Sequence, residues 1–153
     1  MPYERIKEQF VERAPFFGTV GIVIETVGQG TARASLENRK DISNHLKTLH
    51  AGAIFTLAEG TSGAAVIGAF ADIAEDIRAV STSCTITYLN IARGVTVCEA
   101  NIREPIENLR FKLDDTGQVE CSVDVDVTTS QDKDVAKMTA TWLIQKRRTK
   151  SPG

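Results

Sequence analysis

Residues 119–129 alternate without a fault, Val119, Cys121, Val123, Val125 and Val127 against Glu120, Ser122, Asp124, Asp126 and Thr128. That period of two predicts a half-buried antiparallel strand. Residues 78–89, 95–106 and 135–145 predict three more strands, with Val80, Cys84, Ile86 and Tyr88, or their neighbours, facing inward in the first. Residues 18–27 and 31–37 predict a strand pair joined at Gly28-Gln29-Gly30. In residues 3–13 the apolar Tyr3, Ile6 and Phe10 fall on one stripe between charged side chains, which predicts a short amphipathic helix ended by Pro15. Residues 38–49 are polar and irregular and read as a loop. Residues 108–117 read as a polar hairpin region closed by Asp115-Thr116-Gly117.

Residues 51–70 break this pattern, being apolar almost throughout. Twenty such residues are long enough to raise a membrane span. Gly52, Gly60, Gly63 and Gly68 dilute the segment, however, and Glu59 stands in its middle, where an acid is costly in lipid. A helix buried inside a soluble fold is the better reading. The element order is then helix, two strands, one long helix, four strands. No linker, repeat or low-complexity block divides it. Strands segregated from one long helix indicate an α+β fold, an antiparallel sheet packed on that helix, with residues 1–153 as one domain.

Composition narrows the functional classes. The net charge of −2 argues against nucleic-acid binding driven by phosphate charge. The first residues, MPYERIKEQF, carry no apolar signal region, so a cytoplasmic location is expected. Cys84, Cys98 and Cys121 have no metal-like spacing and read as reduced thiols in strands, and two histidines make a zinc site improbable. Residues 146–150, KRRTK, read as a flexible basic tail.

Glu59 is the only ionisable residue from 51 to 70. On a helical wheel Gly52, Thr56, Glu59 and Gly63 lie within about 60° of one another, while Ala53, Ile54, Leu57, Ala58 and Ala65 fill the broad opposite side. The apolar side should meet the sheet. The small side lets something approach closely, with Glu59 at its centre. A satisfied structural carboxylate is the alternative. The preceding loop carries Asn44, His45, Thr48 and His50, and His50 stands at the helix start. Free N–H groups in a first helical turn can hold a developing oxyanion, and a small Ala51 and side-chain-free Gly52 leave them reachable. Such donors plus an isolated acid are what acyl hydrolysis needs.

Asn44-x3-Thr48-Leu49-His50-x-Gly52, followed by Glu59, resembles the N-x3-T-x-H-G-G-x6-D/E signature of hotdog-fold acyl-CoA thioesterases of the phenylacetate-degradation type. Val80-Ser81-x4-Ile86-Thr87-Tyr88 is similar to the strand that follows the helix in that family. The resemblance implies a curved antiparallel sheet wrapped around one central helix. It makes Glu59 the general base or nucleophile, and the Ala51 and Gly52 amides the site of the thioester carbonyl. Asn44 and His50 would orient water or substrate, and Ser81 would lie near the reacting centre. Thr48 and Gly63 would complete the substrate surface. Two departures stand out: Ala51 replaces the first Gly of H-G-G, and the acid is Glu where many relatives carry Asp.

The resemblance implies hydrolysis of an acyl-CoA or related acyl-carrier thioester, without cofactor, metal, nucleic acid or membrane. A hotdog domain that binds acyl-CoA without turnover is the alternative, and a hydratase or dehydratase comes third. The Ala51/Gly52 amides and Glu59 are 7 to 8 residues apart, roughly 10–12 Å along one helix. Two antiparallel copies would bring one helix start to the other's Glu59. A homodimer with shared sites, alone or as a pair of dimers, is therefore expected, and the family resemblance implies the same.

Overall fold

The computed structural model describes residues 2–148. Its chain order is α1 (Tyr3–Arg13), α2 (Pro15–Val20), β1 (Val23–Gly28), β2 (Thr31–Glu37), α3 (Ala51–Ala69), β3 (Ile77–Tyr88), β4 (Val95–Ile102), α4 (Ile106–Thr116), β5 (Gln118–Thr129) and β6 (Asp134–Lys146). The six strands form one antiparallel sheet in the order β1-β2-β4-β5-β6-β3. The sheet curves around α3, which touches all six strands. Leu57, Ala58, Ala64, Ala65 and Val66 of α3 are fully buried against inward residues such as Val123, Ala140 and Ile144. No helix among the described residues is long and apolar enough to cross a membrane.

The glycines of α3 are packing positions. A Cβ on Gly68 would lie 2.1 Å from the Gly28 carbonyl oxygen, and one on Gly60 or Gly63 would lie 3.0 Å from the ring of Phe17 or Trp142. The side of α3 away from the sheet is therefore roofed by α1 and α2 over its second half. Ala51 and Gly52, at its start, stay exposed.

Four expectations are corrected. Residues 18–20 belong to α2, not to a strand: Pro15 ends α1 but takes the first position of this second helix, which Gly21 closes at φ 97°. Residues 106–116 form α4, not a hairpin region. Ile106, Leu109 and Leu113 recur at helical spacing, Leu109 and Leu113 are buried in the core, and Gly117 caps the end at φ 81°. In β3, Val80 is exposed because a bulge between Ser81 and Ser83 reverses the phase of the strand, whereas Tyr88, in phase with Cys84 and Ile86, is exposed at the strand's end. Ile77 and Ala79 turn inward before the bulge, Cys84 and Ile86 after it. Finally, the basic segment begins inside the fold: Lys146 closes β6 and pairs with Asp114 at 3.0 Å, and Arg147 donates to the carbonyl oxygen of Ile77. Residues 149 and 150 lie outside the described residues.

Candidate functional site

The loop of residues 38–50 is held by its own hydrogen bonds, centred on Asn44. The Asn44 Oδ1 accepts from the backbone N–H groups of Leu46 and Thr48, at 2.9 and 3.0 Å. Its Nδ2 donates to Thr48 Oγ1 at 2.8 Å. A side chain bonding its own backbone two residues on stabilises a tight turn. Asn44 is thus committed to shaping the loop, and Thr48 is fully buried beside it. The result delivers His50 to the start of α3, its N–H held by the carbonyl of Ile42 at 2.9 Å.

His50 is the N-cap of α3, and its Nδ1 accepts the Gly52 N–H at 2.8 Å. One of the first-turn donors is thereby occupied by a ring that lies in solvent. Among the described residues the Ala51 N–H makes no hydrogen bond, and it sits at the positive end of the helix dipole. The hydroxyl of Tyr88 donates to the Ala51 carbonyl at 3.1 Å and ties this turn to the end of β3. Nothing in the residue pattern singled out Tyr88 for this contact; the two meet because β3 runs along α3.

Further along α3, Glu59 is partly buried at the edge of an apolar cleft of about 270 Å³. Burial pushes its carboxyl above the ordinary carboxylate range, and a hydrogen bond from Ser81 opposes this in part. The Ser81 Oγ donates to Glu59 Oε1 at 3.3 Å. Ser81 reaches Glu59 from the bulge in β3, a common way for a sheet to re-aim a side chain beside a site. Cys84 lies nearby: its thiol is pushed up by burial and by the charge of Glu59. Among the described residues, Glu59 has no cationic partner.

The expected residues therefore fall into three groups. Ala51, Gly52 and His50 form the helix start. Glu59 and Ser81 meet about two helical turns away. Asn44 and Thr48 shape the loop behind the first group. Gly63 lies under the Trp142 ring, which places it in the wall of the cleft. Among the described residues, no three His, Cys, Asp or Glu side chains gather as a metal site.

Comparison with known proteins places this architecture. A Pseudomonas aeruginosa protein of unknown function, described as a probable thioesterase, superposes with a TM-score of 0.83 at 25% identity, over 96% of this chain and 97% of that one. A hypothetical thioesterase of Streptococcus pneumoniae, solved with coenzyme A, has a TM-score of 0.70 at 21% identity, over 91% and 99% of the two chains. The Escherichia coli PaaI protein of the phenylacetic acid degradation operon has a TM-score of 0.67 at 18% identity, over 94% and 96%. No curated protein sequence matches the chain. These likenesses bear out the hotdog fold and the thioesterase-type resemblance. Residues 3–144 match the family described as "Domain of unknown function (DUF4442)", and the chain belongs to that family, a hotdog-fold member of the thioesterase-like group.

Proposed function

We propose that the chain hydrolyses an acyl thioester carried on coenzyme A or a related carrier. Glu59 supplies the base or nucleophile, and the amides at the start of a second chain's α3 polarise the carbonyl. The observation that carries this reading is Glu59 itself. A carboxylate without a cationic partner, half withdrawn from water at the rim of an apolar cleft, is poorly explained by packing. Raising its proton affinity makes it a better base near neutral pH. The Streptococcus neighbour bound to coenzyme A supports the choice of carrier.

A dimer follows from distance and from an edge. Two helical turns separate the first-turn amides from Glu59, whereas a reacting thioester needs both within about 3–3.5 Å. β3 is an edge of the sheet and is twelve residues long, and Tyr88, Leu89 and Ile91 at its end are exposed. A long uncovered edge is a template for a second strand. Pairing two copies of β3 about a two-fold axis would carry each α3 start towards the other chain's Glu59.

The test is a panel of acyl-CoAs with free thiol followed over time. Thiol release well above background supports hydrolysis. Binding without release would leave an acyl-CoA-binding domain, and loss of enoyl absorbance without thiol would indicate hydratase chemistry.

A further inference from the structure

Trp142 and Ser81 are directly paired across β6 and β3, so their side chains stand beside each other on one face of the sheet. The β3 bulge begins at that pair: Thr82 is the extra residue, and Ser83 already faces Thr141. The Trp142 ring lies over α3, where a Cβ on Gly63 would come within 3.0 Å of it. Its indole N–H donates to Ser62 Oγ at 2.9 Å. Ser62 in turn donates to the Glu59 carbonyl oxygen at 2.6 Å, which bonds it back to the turn that carries the acid.

These contacts close a circuit. From the Glu59 carboxylate it runs to the Ser81 hydroxyl, 3.3 Å away, and across the strand pair to Trp142. It then passes through the indole to Ser62 and returns to the main chain of Glu59. Both the side chain and the backbone of the acid are thus tied to one residue. Among the described residues, the Trp142–Ser62 bond is the only side-chain hydrogen bond between α3 and β6. Ser62 is fully buried and Trp142 is 9% exposed, so water would not make good a broken bond. A phenylalanine facing an alanine would avoid burying two polar groups, so packing alone does not account for the pair.

We propose that Trp142 is a positioning residue for Glu59: its indole N–H, acting through Ser62, holds the carboxylate where the Ser81 hydroxyl reaches it. The assignment rests on the thioester reading for the reaction that Glu59 serves. The Glu59–Ser81 bond then depends on the Trp142–Ser62 bond, although the two lie on opposite sides of the circuit.

The test compares the effect of Ser81→Ala in the parent and in Ser62→Ala/Trp142→Phe. The double background removes both members of the buried bond and so orphans neither. Trp142→Phe alone is a milder second background with the same expectation. The Glu59 titration is followed by its carboxyl carbon resonance, which needs no substrate. Cys84 of β3 is the titratable neighbour of Glu59, and Arg13 of α1, which shares the cleft, is paired with Glu75; all three are left unaltered. In the parent, Ser81→Ala should raise the titration, because it removes a bond to the carboxylate. In the double background the same substitution should move it little. A Leu113→Ala background weakens the core away from the circuit, and there the full shift should persist. An equal or larger shift in the double background, no shift in the parent, or a shift lost with Leu113→Ala as well overturns the assignment. Where acyl-CoA is cleaved, Trp142→Phe should lower kcat with KM nearly unchanged, by up to about 100-fold for a displacement of about 1 Å. A raised KM with kcat preserved would give Trp142 to the cleft wall alone and overturn its positioning role. The expected titration shifts without thiol release from any acyl-CoA would leave the positioning role standing and end the hydrolytic reading. Thiol release with equal shifts in both backgrounds has the opposite meaning.

Discussion

Ionising Glu59 works against the fold. Its carboxyl titrates above the ordinary value of 4.5 because burial penalises the charge. A raised native value means that the native state holds the proton longer than the unfolded chain. The stability this contributes is complete below 4.5 and is lost as pH rises through the native value. Urea midpoints of the parent should therefore fall across that window, and Glu59→Gln should abolish the Glu59 share of the fall. Turnover should run the other way, rising with pH as the base form appears. At the helix start, His50 has two possible roles that one series separates. His50→Ala should cost about 1 kcal/mol through loss of the cap, and His50→Ser should restore it. Turnover that returns with Ser would make the ring a cap alone; turnover lost in both variants would give it a part in the reaction. Gly52→Val should weaken turnover with a modest change in stability, since a Cβ there sits 3.1 Å from the His50 ring and shields the first-turn amides. Gross unfolding with a fully active folded fraction would assign Gly52 to packing. These residues were visible in the sequence because Glu59 is the one charge of an apolar stretch and His50 and Gly52 stand at its start. Tyr88 was not: its hydroxyl meets the Ala51 carbonyl only once β3 is laid along α3.

At the scale of elements, regular alternation was easy to read and its interruptions were not. β5 alternates through its whole length, so residues 119–129 identified it within a residue. β3 contains a bulge, so its inward set changes parity halfway, and a single parity applied to the strand turns Val80 the wrong way. That same bulge presents Ser81 to Glu59. Ser81→Ala removes a hydrogen bond that favours the carboxylate, so the rise of turnover with pH should move to higher pH. An unmoved profile would disconnect Ser81 from the acid. α4 was hidden because only four apolar positions, one of them the exposed Phe111, mark it among charges. Its buried face is testable: Leu113→Ala should cost about 2–5 kcal/mol, whereas Phe111→Ser, on the exposed face, should stay within about 0.5 kcal/mol.

For the whole molecule, the account requires two chains per site. A Glu59→Gln chain mixed and exchanged with a Gly52→Val chain places both defects in one site of each mixed dimer and leaves the other intact. Activity should return to roughly a quarter of the parent value for random pairing in a two-fold dimer. Demonstrated exchange without recovery would confine each site to one chain. The fold, a sheet wrapped around α3, was legible because six strands and one long apolar helix leave few ways to bury that helix. The proposed assembly rests on the gap between Glu59 and the first-turn amides, which could be counted along the sequence, and on β3 standing at the edge of the sheet, which could not. Beneath the arrangement of chains lies the claim that Glu59 performs the chemistry. The most direct measurement is thiol release by parent and Glu59→Gln on the best acyl-CoA of the panel, with matched folding checked by circular dichroism. The account predicts a fall in kcat of roughly 100-fold or more, the usual worth of general-base catalysis, in a variant at least as stable as the parent. A Glu59→Gln protein that releases thiol at the parent rate would contradict it.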